Sequence, residues 1–140
     1  MGTTLADGRW TWHVWLQTIL ASVIGNLLLR IGALAVFDIP PEFLPLSTVG
    51  PTILLTVLGV GAALAVALLV GSASQPVRLF RTIAIVALLV SFLPDAWMLT
   101  EGAAVAFPGA TVPGVITLML QHVVAAFVVI WMLTMRGRQR

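Results

Sequence analysis

Apolar residues gather into four long runs, about 12–37, 48–70, 78–99 and 112–135, separated by short stretches rich in proline, glycine and charge. Each run holds roughly 20 residues or more, enough to cross a hydrocarbon core of about 30 Å at about 1.5 Å per residue. The pattern predicts an all-α fold, a transmembrane four-helix bundle that occupies residues 1–140 as a single integral membrane domain. Polar residues inside the runs recur at helical spacing. In the first run Thr18, Ser22, Asn26 and Arg30 fall every four residues on one face, which should point into the protein. Ala21, Gly25 and Ala33 flank that stripe, and such small residues let a neighbouring helix approach closely. The second run carries Thr48, Thr52 and Thr56, then Gly59, Ala63, Ala67 and Gly71. Its threonines are expected to bond to carbonyls one turn back. Its small residues form a packing face, expected to make the closest helix contact within the bundle or between copies. In the third run Ala84, Ala87, Ser91 and Asp95 share a face, and Pro94 predicts a kink. The fourth carries Thr117, Gln121 and His122 before Ala125 and Ala126.

Composition strengthens the membrane reading: 60% of residues are hydrophobic, only 9% are charged, and mean hydropathy is +1.11. Such a chain cannot present an ordinary soluble surface. All seven basic residues are arginines, and Arg9, Arg78, Arg81 and the RGRQR tail fall on one side of the predicted spans. Asp38, Glu42 and Glu101 fall on the other. The net charge of +2 therefore reports orientation and not nucleic-acid binding, and places both termini in the cytoplasm of an inner membrane. Arg78 and Arg81 read as headgroup anchors. Trp10, Trp12 and Trp15 around His13 read as an interfacial belt, with no functional role for His13. The first span has no small-residue cleavage site after a short apolar core, so it is expected to stay. The loop DIPPEFLPL, with three prolines, reads as a stiff non-helical connector. No cysteine is present, so there is neither a disulfide nor a thiolate.

The ionisable residues inside the spans are where chemistry has to be sought. Counting residues along each helix puts Arg30 and Asp95 at matching depth, some 25 Å from the inner boundary. The expectation is an Arg30–Asp95 ion pair in the outer half of the bundle, supported by Ser91 and span-two threonines, with Asn26 and His122 nearer the midplane. A structural role for that pair is favoured over transport. Asn26, the Arg78–Arg81 opening of span three, Ser91-x-x-Pro94-Asp95 and His122 together resemble a bacterial family of small four-span membrane proteins described only as a domain of unknown function. The resemblance extends over most of residues 15–135 and implies a fold and a shared polar centre, without an activity. No catalytic, nucleotide or metal motif appears, and no cofactor is expected. The first reading is a non-enzymatic bundle in a lipid bilayer that self-associates or joins other membrane subunits. The second is a small proton-coupled permease or channel using Arg30, Asp95 and His122. The third is a pigment or heme binder with His122 as its single histidine ligand, since His13 and His122 lie at different depths.

Overall fold

A computed structural model describes residues 12–135, of which Met135 is described by its backbone only. Arg9, Trp10 and the RGRQR tail lie outside the described residues. Helix α1 spans Trp12–Val36, a single turn α2 spans Leu44–Ser47, and α3 spans Val49–Leu69. Then come α4, Pro76–Trp97, a short 3-10 turn at Glu101–Ala103, and α5, Val112–Met135. The described residues contain no strand. The fold is an all-α four-helix bundle whose four long helices are each apolar and long enough to cross a membrane. Their ends lie close to those that hydropathy predicts, because polar breaks in the sequence coincide with real helix stops. Pro76 opens α4 within its first turn, where a missing N–H breaks no helical bond. Within α4 the chain stays helical through Pro94.

The loop between α1 and α3 departs from expectation. Three prolines suggested a connector without helix, yet Leu44–Ser47 closes one helical turn with Pro45 in its first turn. Proline fits there for the same reason that it fits at the start of α4.

The helices are not arranged as a square. Helix α5 packs against α1, α3 and α4, while α4 leans chiefly on α5 and makes no substantial contact with α1. Only Phe80 and Asp95 of α4 are buried. Two apolar clusters hold the bundle. At the end carrying the α3–α4 turn, Val60, Leu64, Ala67, Phe80, Val129 and Leu133 interlock, with Val14, Trp15 and Ile19 of α1 against them. At the other end Phe43 and Leu46 of the first loop cover Val115 and Leu118, joined by Met98 and Phe107 of the second loop. Phe43 sits so close to the first turn of α5 that a Cβ at Gly114 would stand 3.1 Å from its ring. Gly109, at φ 74°, lets the second loop rest on the Phe43 backbone, where a side chain would be both strained and crowded.

Helices α1 and α5 approach each other closely at Gly25. A Cβ built on Gly25 would lie 2.9 Å from Val124 Cγ1. Gly25 is thus the small residue that decides helix spacing, as the flanking positions of the polar stripe suggested. The α3 positions Gly59, Ala63, Ala67 and Gly71 do not all face the interior. Gly59 looks outward, where a Cβ would meet nothing within 4 Å, Ala63 is half-buried, and only Ala67 and Gly71 are buried. The reason is register. Buried Thr52, Thr56, Val60 and Leu64 define the inward face of α3, and Gly59 stands about 80° off its centre.

Candidate functional site

Polar groups occupy a layer between the two apolar clusters. Thr18, Ser22, Asn26 and Arg30 are all buried, so the stripe along α1 faces inward as its spacing requires. Asn26 Nδ2 donates to Thr56 Oγ1 of α3 at 2.9 Å, and Thr56 Oγ1 donates in turn to the carbonyl of Thr52 at 2.6 Å. From α5, Gln121 Nε2 donates to the main-chain carbonyl of Asn26 at 3.2 Å. Three helices are tied together at one level by these bonds. Three further hydroxyls bond locally: Thr18 donates to Val14, Thr117 to Pro113 and Ser91 to Leu88, each to a carbonyl oxygen of its own helix. Ser22 Oγ and Asn26 Oδ1 are buried with no hydrogen-bond partner among the described residues.

The fourth helix joins the same layer through charge. His122 follows Gln121 on α5, about 100° further round, and so faces α4. Its Nε2 stands 3.2 Å from Asp95 Oδ2. That separation is in ion-pair range, but the ring N–H is not aligned for a hydrogen bond, and Oδ2 has no other donor among the described residues. The aspartate side chain is 5% exposed and the histidine 42%. The contact is at the Nε2 edge of an imidazole that is partly open.

Asp95 therefore pairs with His122 and not with Arg30, which corrects the expected ion pair. Arg30 Nε donates to the carbonyl of Leu46 at 2.7 Å and Nη2 to that of Ser47 at 2.9 Å. These are the last carbonyls of α2, which have no acceptor role inside that single turn and carry its partial negative charge. Two causes combine. Helix α5 separates α1 from α4, so the two side chains have no common boundary. The depths differ as well. Arg81 Nη2 donates to Thr134 Oγ1 at 2.9 Å. From that contact to the Asp95–His122 pair is about 21 Å along α4 and about 18 Å along α5, a consistent antiparallel register. Gln121 fixes that pair near the level of Asn26, whereas Arg30 lies one turn, about 6 Å, beyond it. Ser91, half-buried and bonded to its own helix, supports neither charge. Arg81, expected as a headgroup anchor, is turned toward α5, while Arg78 is exposed.

Among the described residues no group of three or more His, Cys, Asp or Glu could hold a metal ion. The arrangement offers one acid–base pair, Asp95 with His122, embedded in a layer of amides and hydroxyls. Protein-family models, curated proteins and solved structures contain no match to the chain. What the fold and site define is a class: an all-α bundle of four membrane-length helices with a polar layer across its middle.

Proposed function

We propose that the protein is a non-enzymatic multi-pass membrane protein that associates with itself or with other membrane subunits. The observation that carries this reading is how the interior polar groups are used. Asn26, Thr56, Gln121 and Arg30 all bond to other parts of the same bundle, so they serve to fix helix positions. The outward α3 surface at Gly59, where an added Cβ would meet nothing, suits a second helix that approaches closely in a bilayer. Gly59→Leu should therefore lower the associated fraction in energy-transfer measurements between labelled copies in liposomes, and leave the melting of the single bundle unchanged. A wild-type protein that stays monomeric at high protein-to-lipid ratios would sink the reading.

The arginines at the α3–α4 turn support an orientation with that turn and both termini in the cytoplasm. A cysteine introduced at Ala104 should react with an impermeant reagent applied to intact cells, and one at Ser74 should not. The reverse labelling would invert the protein.

One observation favours a second reading, a proton-linked permease. Asp95 and His122 form an acid–base pair inside a membrane-length region, the kind of residue that marks proton pathways. Proton flux into liposomes loaded with a pH dye, lost on His122→Asn, would move this reading ahead of the first.

A further inference from the structure

In α5, His122 lies about 15 Å from Val112 and about 20 Å from Met135, near the middle of the helix. Apolar clusters close the bundle on both sides of that level. Phe43 and Leu118 with Phe107 lie toward one end, and Phe80 and Val129 toward the other. The 42% exposure of the imidazole is therefore sideways, toward what a bilayer would fill with acyl chains. A bare polar group there is costly, because hydrocarbon offers nothing to hydrogen-bond. Behind it stands a buried carboxylate oxygen with no hydrogen-bond donor among the described residues. Nε2 stands against Asp95, and in an ion pair with that carboxylate both ring nitrogens carry a proton, so Nδ1 is left as a donor for a partner. One helical turn away lie Met119 and Ala126 on α5, both half-buried, and Phe92 on α4, so the surroundings of the polar spot are apolar.

We propose that Asp95 and His122 form a laterally open binding site for a membrane-dissolved amphiphile whose headgroup accepts a hydrogen bond through a carbonyl or carboxyl oxygen. The headgroup accepts from Nδ1 of the imidazolium, the Asp95 carboxylate stands against Nε2, and the apolar chain lies along α4 and α5. A water-soluble ligand fits poorly, since both ends of the bundle are sealed by apolar side chains. An apolar lipid without an acceptor fits poorly as well, since it leaves the imidazole unsatisfied. Quinones and fatty acids share the required chemistry and differ in charge, so both serve as probes.

The test uses the full chain with imidazole-15N histidine, in phosphatidylcholine nanodiscs, titrated with decylubiquinone in one series and oleate in another. The two histidine signals are assigned with His122→Asn. His13, exposed at the far end of α1 beside Trp12, reports nonspecific partitioning. The expected result is a saturable shift of the His122 signal with at least one probe and none at His13. Saturation by the quinone alone identifies a neutral carbonyl ligand, and by oleate alone an anionic one. Asp95→Asn should weaken the response about tenfold at unchanged thermal melting. Should that variant fail to fold, Ala126→Phe, which occupies the path of the chain, should weaken it instead. No shift with either probe, equal non-saturating shifts at both histidines, or a His122 signal that moves only with the protein-to-lipid ratio would overturn the proposal. The last outcome would mean that a second copy covers the ring.

Discussion

Gly25→Ala should destabilise the bundle by about 1–3 kcal/mol, the usual cost of one methyl forced into a filled interface. The added Cβ would lie 2.9 Å from Val124 Cγ1. Valine in a helix is held almost entirely in one χ1 rotamer, so its methyl cannot swing aside and the helices themselves have to part. Parting α1 from α5 also stretches the bond from Gln121 to the Asn26 carbonyl, which lies next to Gly25 in the chain. Val124→Ala makes room and should return most of the loss. Thermal melts of both single variants and the double variant in mild detergent check this, with a favourable coupling expected. Strict additivity would mean that the two helices are not in contact at this point. Gly25→Leu, which no rotamer change can accommodate, should abolish the folded bundle.

The second large effect concerns His122→Leu, which strands Asp95 in the polar layer. Removing one partner of a buried charged pair typically costs about 3–5 kcal/mol. The figure is an upper bound here, because the imidazole is part-exposed and the pair is an ion pair only where the histidine carries a proton. Asp95→Leu should cost less, since the histidine it leaves behind is already partly open to its surroundings. The double variant should recover much of the loss of His122→Leu. Arg30→Met combined with Asp95→Leu should show losses that simply add, because the two residues share neither a contact nor a hydrogen-bonding partner. A measured coupling between Arg30 and Asp95 instead would contradict the placement of α5 between α1 and α4.

Much of this fold can be read from residue spacing, and much of the site cannot. The four-residue recurrence of Thr18, Ser22, Asn26 and Arg30 is a local property of one helix, so the sequence reveals that they share an inward face. The identity of the helix they meet is a global property. Opposite charge at similar estimated depth made Arg30 and Asp95 look like partners, but the pairing presumed that α1 and α4 are neighbours. Nothing in hydrophobic periodicity orders antiparallel helices around a bundle. Arg30 also found acceptors that leave no mark in a sequence, since main-chain carbonyls belong to every residue. The nearest available signal was the short Leu44–Ser47 stretch, where a helical turn too brief to bond its own carbonyls needs an external donor. The glycines show the same division. Gly59 and Gly25 are equally small, yet only position on the inward or outward side of the helix decides which one sets a distance, and Thr52, Thr56 and Val60 rather than the glycines reveal that side.

The central place of α5 has a consequence for the order of assembly. It is the last of the four long helices to leave a ribosome, and it supplies the surface on which α1, α3 and α4 meet. Helices α1 and α3 have a direct interface and can pair as soon as both are inserted. Helix α4 cannot dock in the same way, because its main neighbour has not yet been made. Until residues 112–135 enter the membrane, Asp95 waits at the lipid boundary without its histidine, and Asn26 lacks the bond from Gln121. A ribosome halted before that point holds three long helices and a carboxylate whose partner, His122, has not yet been made.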